Sequence, residues 1–324
     1  MRRRKMVLKW KEERGIVLCL FIPLLILLMT GCSGSRNSER GIYESGYKQF
    51  MERQKALAVD EQASIEKPVM TPEELERKGD FYVKQGNLPM ALLQYNKALH
   101  LDQNQPGLHY KMGRLFLERG MVEEAQNEFL EVLKIHPRHA QAFEGLGWVF
   151  FKTGNLERAE TNLQQAIDLD ASLWQAHHLL GIIFDRQLKY EAAIRQYRKA
   201  ISVQPNSAML FNNLGMSLFF TGDYQKALEC FLEALKLETS HDRIYNNLGL
   251  TLCKLGKYEE ALDIFKKSGD EAAAYNNLGY VLMTEGKSKE AIEAFEKALE
   301  ITPGFHKKAY ENLKRAKTAQ SSPH

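Results

Sequence analysis

Residues 275–303 read YNNLGYVLMTEGKSKEAIEAFEKALEITP, and the fold follows from how often this string returns. Gly279 has counterparts at Gly79, Gly113, Gly147, Gly181, Gly215 and Gly249, separated by 34 residues each time until a last interval of 30. A period in this range marks stacked supersecondary units that bury their apolar faces against their neighbours. The windows are 72–105, 106–139, 140–173, 174–207, 208–241, 242–271 and 272–305.

Within each window the apolar and small residues recur at three- and four-residue steps, which predicts two amphipathic helices. A second glycine follows the first by seven residues in six windows (Gly86, Gly120, Gly154, Gly222, Gly256, Gly286), and the fourth window has Leu188 there. This position is the turn between the helices. A small residue comes next (Ala91, Ala125, Ala159, Ala193, Ala227, Ala261, Ala291), then Tyr95, Phe129, Leu163, Tyr197, Phe231, Phe265 or Phe295. The first glycine and the alanine are expected where two helix backbones approach closely. Pro137, Pro205 and Pro303 close three windows. Window six lacks four residues around Lys267–Ser268–Gly269–Asp270, which predicts a second helix about one turn shorter.

This pattern resembles the tetratricopeptide repeat (TPR) family over residues 72–305. The resemblance implies an all-α, right-handed α-solenoid of about seven helix-turn-helix repeats, with a concave groove lined by the first helix of each. Residues 306–324 then form a capping helix and tail, with Lys307, Lys308, Glu311, Lys314, Arg315 and Lys317 on a polar face.

Residues 1–31 read as a signal peptide: seven basic residues among the first fourteen, then an apolar run over 16–29 broken only by Pro23. The run ends in Leu28–Met29–Thr30–Gly31–Cys32, which resembles the lipobox of bacterial lipoproteins, with Met29 departing from the usual Leu. The resemblance implies acylation of Cys32, palmitate included, and stable anchoring through several acyl chains. Ser33 rather than Asp follows the cysteine, which by the same resemblance implies the outer membrane with the protein facing the periplasm. Residues 32–71 form the acylated cysteine and a polar tether. Cleavage takes seven basic and two acidic residues from totals of 44 and 41. The mature chain is left with 37 and 39, a net charge of −2. Nucleic-acid binding loses its electrostatic basis.

No catalytic constellation, cofactor site or metal site is expected. Gly286–Lys287–Ser288 lacks the upstream glycine of a phosphate loop, since Val281 stands there. His177 and His178 are adjacent and point apart on a helix. Cys230 and Cys253 are expected to be free thiols, although their neighbouring helices leave pairing open.

A non-catalytic scaffold binds through its groove. By family geometry, Trp148, Ile182, Met216, Leu250 and Tyr280 lie there, one residue after the first glycine of their windows. Phe151, Phe219 and Met283 lie four after it, in a row that also holds Asp185. Such an apolar surface fits an apolar or amphipathic segment of a protein partner, and the same residue types also serve helix packing. Asn212, Asn246 and Asn276 each begin an Asn pair, placed to hold the backbone of a bound peptide or to serve a structural role. The family's carboxylate clamp is not reproduced, because only Asn247 matches it. The layout of lipobox, tether and repeats resembles Tad (Flp) pilus assembly and type IV pilus pilotin lipoproteins. That implies an envelope assembly component as partner. The alternative is a periplasmic adaptor that recruits peptidoglycan hydrolases or proteases.

Overall fold

The computed structural model describes residues 70–239, 242–302 and 307–321. The signal peptide, Cys32 and nearly all of the tether lie outside the described residues. Among the described residues all regular structure is helical. The helices are α1 (Pro72–Lys84), α2 (Leu88–Leu101), α3 (Pro106–Glu118), α4 (Val122–Ile135), α5 (Ala140–Lys152), α6 (Leu156–Leu169), α7 (Trp174–Arg186) and α8 (Tyr190–Val203). They continue as α9 (Ala208–Thr221), α10 (Tyr224–Leu237), α11 (Asp242–Lys254), α12 (Tyr258–Lys267), α13 (Glu271–Thr284), α14 (Ser288–Ile301) and α15 (Lys307–Ser321). Odd-numbered helices are the first of each expected pair and even-numbered helices the second. The chain divides into two compact units, ending at Glu124 and beginning at Ala125, a boundary within the first turn of α4.

In the first unit, Thr71 starts α1 with a reciprocal capping box. Its hydroxyl accepts from the Glu74 amide at 3.3 Å, and its own amide donates to the Glu74 carboxylate at 3.0 Å. A cap of this kind stabilises a helix by about 1 kcal/mol. Helices α1 and α2 pack as a pair around the fully buried Tyr95 and Leu92.

The second unit repeats this pairing five times: α5 with α6, α7 with α8, α9 with α10, α11 with α12, and α13 with α14. Successive first helices also touch, from α5 and α7 through to α13 and α15. Leu163, Tyr197, Phe231, Phe265 and Phe295 are buried in the pairs. Fully burying a large apolar side chain stabilises by roughly 1.5–3 kcal/mol, so these residues are the main fasteners.

The close approach expected at the first glycine is made chiefly by a side chain of the second helix, a ring at Gly79, Gly181, Gly215, Gly249 and Gly279 and Leu163 at Gly147. A methyl at Gly181 would lie 2.4 Å from the Tyr197 ring, and one at Gly249 would lie 2.5 Å from Phe265. Gly279 shows the backbone contact only as a minor term, with the Ala291 carbonyl at 3.2 Å. The glycine is a slot in one helix that receives a large side chain from the next, in most repeats a ring.

Six turn glycines adopt positive φ, and Leu188 replaces them with φ 58°. Among the described residues it is the only non-glycine in that region. Helix α12 has ten residues where every other second helix has fourteen, the turn lost that the sequence indicates. Ser268 ends it, and Asp270 caps α13 by accepting from the Ala273 amide at 2.6 Å.

Helix α15 packs on α14 and α13 with Ala309 and Ala316 fully buried. Its Ala309–Tyr310–Glu311–Asn312–Leu313–Lys314 aligns with Ala274–Tyr275–Asn276–Asn277–Leu278–Gly279 of α13. The cap is thus built like the first helix of another repeat, with Lys314 where the ring-receiving glycine would stand.

Candidate functional site

The candidate surface lies in the second unit, on the first helices of the pairs. Trp148 and Phe151, one turn apart on α5, meet edge to face with ring centroids 5.9 Å apart. Arg186, from the end of α7, lays its guanidinium over Phe151 at 4.2 Å. Further along, Phe219 of α9 packs edge-on against Tyr224 at 5.3 Å, and Phe220 stacks on Tyr190 at 4.9 Å. Trp148, Phe151 and Phe219 are half-buried and Phe220 is exposed. These residues therefore stay partly exposed while neighbouring rings and the Arg186 guanidinium hold them in place.

The other expected groove residues are placed differently. Met216 is buried and serves packing. Ile182, Leu250, Tyr280 and Met283 are half-buried on α7, α11 and α13, outside the two ring clusters.

The asparagines form a ladder between repeats. Asn247 donates to the Asn212 oxygen at 2.8 Å, Asn277 to Asn246 at 3.3 Å, and Asn312 to Asn276 at 3.0 Å. One step earlier, Asn213 meets the His178 Nε2 at 3.0 Å. Each contact joins the residue three before a repeat's glycine to the residue two before the next glycine, or before Lys314 in the cap. Asn246 also accepts from Ser268 at 3.0 Å, which ties the shortened join into the ladder. Asn212 and Asn276 are buried. The side-chain oxygens of Asn212, Asn246 and Asn276, for which the sequence leaves peptide binding and a structural role open, accept hydrogen bonds inside the repeat stack.

Asp185 occupies the row between Phe151 and Phe219. Its carboxylate accepts from the Tyr197 hydroxyl at 2.8 Å and from the Ser217 hydroxyl at 2.7 Å. Burial raises its pKa to about 6, against the lowering effect of those two bonds. Two turns earlier on α7, the buried His178 is pushed down to about 4, again by burial. Sequence reasoning placed Asp185 on the groove row without giving it a role, and it passed over Arg186, Tyr190, Ser217 and Phe220. The available signal was weak: Ser217 stands where other repeats of this unit have Val149, Ile183 and Val281, but Thr251 is a second hydroxyl residue at the same position.

Cys230 and Cys253 are free, and burial raises their thiols to about 11 and about 12. They are un-ionised and weakly nucleophilic at neutral pH.

The family model described as the cilia and flagella-associated protein 70 C-terminal domain, a TPR model, matches residues 47–277. The chain belongs to this tetratricopeptide-repeat family. The match begins inside the segment read as a tether. A second model, for the tetratricopeptide repeat itself, matches residues 272–305, the bounds of the seventh window. Among solved structures, a tetratricopeptide repeat protein from Parabacteroides merdae is 19% identical, with a TM-score of 0.51 over 76% of this chain and 98% of that one. The Pseudomonas aeruginosa pilF protein is also 19% identical, with a TM-score of 0.50 over 67% and 98%. YrrB, described as a TPR protein with an unusual peptide-binding site, is 24% identical, with a TM-score of 0.48 over 57% and 97%. At these identities the likeness is one of fold. No curated protein matches the sequence.

Tetratricopeptide repeats bind protein or peptide partners, and the chain is an interaction scaffold of that type. Both matching family models describe repeats and neither describes an enzyme.

Proposed function

We propose that the protein is a membrane-anchored lipoprotein whose repeats 140–305 bind an apolar segment of an envelope assembly component, in the building of a pilus or secretion complex. The observation behind the binding surface is the pair of ring clusters, Trp148–Phe151–Arg186 and Phe219–Phe220–Tyr190–Tyr224. Partly exposed rings already held in place by neighbours receive an apolar side chain at little conformational cost. The support for anchoring is the lipobox-like string ending in Cys32. The support for a pilus or secretion role is the layout of lipobox, tether and repeats. The likeness to pilF contributes the fold only.

Alanine substitution of Trp148, Phe151 and Phe219 is expected to remove the proteins that co-purify with the wild-type chain from its host envelope, without unfolding it. An unchanged set of co-purifying proteins rejects the surface. Palmitate incorporation is expected for the wild type and lost in Cys32→Ala. Incorporation that persists in the variant rejects the anchor.

A further inference from the structure

We infer that Asp185 is the specificity determinant of this groove, and that it accepts the ammonium or guanidinium of a single basic residue set among apolar residues of the partner. The inference rests on the groove reading above and names the chemistry of its ligand.

Two tyrosines among the ring-slot residues, Tyr95 and Tyr197, direct their hydroxyls to an aspartate on the preceding helix. The first unit neutralises its aspartate internally. Tyr95 donates to Asp80 at 2.6 Å, while Lys111 from α3 sits 2.8 Å from Asp80 and 2.7 Å from Glu76. The second unit repeats the tyrosine–aspartate bond without the lysine. Around Asp185 the groups that hold the carboxylate are the neutral hydroxyls of Tyr197 and Ser217, and no cation among the described residues is paired with it. The adjacent Arg186 is laid over Phe151 instead.

Two hydroxyl donors fix both oxygens of Asp185 and leave lone pairs unused, since a carboxylate has about four acceptor sites. Its residue keeps partial exposure on the row between Phe151 and Phe219. A half-buried carboxylate without a counter-ion carries a desolvation cost, and an arriving cation converts that cost into a charge-assisted hydrogen bond. The flanking rings take up the methylene stem of a lysine or arginine and the apolar residues beside it. Near neutral pH the group is mainly ionised, because burial raises it only to about 6. An acidic or purely apolar ligand gains nothing at this position.

The test uses phage-displayed random dodecapeptides selected on the full-length protein in detergent. Selected peptides are expected to carry one Lys or Arg among apolar residues and to lose binding to a Trp148→Ala/Phe219→Ala variant. A synthetic selected peptide is then compared with its Lys→norleucine form. The change is expected to weaken binding about tenfold to the wild type and less than about twofold to Asp185→Asn. Asn keeps the shape and an acceptor for Ser217, and the norleucine change leaves the protein untouched. Equal losses on both proteins, or selected peptides without a basic residue that still need Trp148 and Phe219, overturn the inference and leave the groove standing. Failure to select any peptide that depends on Trp148 and Phe219 overturns both.

Discussion

Asn247 donates its side-chain amide to the Asn212 oxygen across 2.8 Å, with both side chains buried on consecutive first helices. Removing one partner strands the other's polar group, which costs about 1–3 kcal/mol, whereas replacing both with apolar residues costs much less. Asn247→Ala is expected to lower stability in urea unfolding and to speed hydrogen exchange in α9 and α11. The Asn212→Leu/Asn247→Leu pair should recover most of the loss. Additive losses from the two leucines would show that the ladder does not couple the repeats.

The glycine slots give a sharper contrast. A methyl at Gly181 meets the Tyr197 ring at 2.4 Å, while one at Gly154 meets nothing within 4 Å and only the backbone, at φ 83°, resists it. Gly181→Ala should cost about 3 kcal/mol, the upper end of overpacking, and Gly154→Ala about 1 kcal/mol. Thermal unfolding of the two variants orders them. The reverse order contradicts the ring-in-slot packing.

Leu188 is the exception among the turns, held at φ 58° where six glycines serve elsewhere. An L side chain there costs roughly 1–2 kcal/mol, partly offset by the flexibility a glycine adds to the unfolded chain. Leu188→Gly is expected to raise stability by about 0.5–1 kcal/mol in the same unfolding assay. A loss would show that the exposed leucine contributes packing that outweighs its backbone.

Two titrations oppose one another around the groove. His178 is depressed from 6.5 to about 4 in the folded state. As pH falls through that window the unfolded chain takes up its proton first, and stability drops by about 3 kcal/mol. Asp185 is raised from 3.8 to about 6. Over nearly the same window the folded chain takes up its proton first, and stability rises by about 3 kcal/mol. The two terms largely cancel. Relative to wild type, Asp185→Asn should lose stability between pH 6.5 and 4, and His178→Gln should gain it. Melting temperatures of the three proteins at pH 7 and pH 4.5 decide this. Parallel pH profiles would mean that neither group is perturbed by folding.

Much of the fold was legible because glycine and alanine spacing reports helix contacts within a repeat. The four residues missing from window six translated directly into the shorter α12. The side chain filling a first-glycine slot, a ring at Gly79, Gly181, Gly215, Gly249 and Gly279 and Leu163 at Gly147, lies sixteen residues on in the same window, yet spacing alone does not tell a side chain from a backbone. The Asn ladder was hidden for a different reason. Its bonds join positions offset by one residue between repeats, over separations of 35, 35, 31 and 36, so the pairing appears only when the stack is built. Asp185 was visible as one acid in an apolar row. That Tyr197 and Ser217 hold it, and that no lysine among the described residues plays the part of Lys111, depends on three helices meeting.

The groove itself is tested most directly by site-specific photo-crosslinking in the native host. Benzoylphenylalanine is placed at Trp148 or Phe219, on the proposed face, and at Leu232, which is 45% exposed on α10. Discrete protein adducts from Trp148 and Phe219, absent from Leu232, are the expected result. Adducts from Leu232 alone, or none from either groove position, would contradict binding through the first helices.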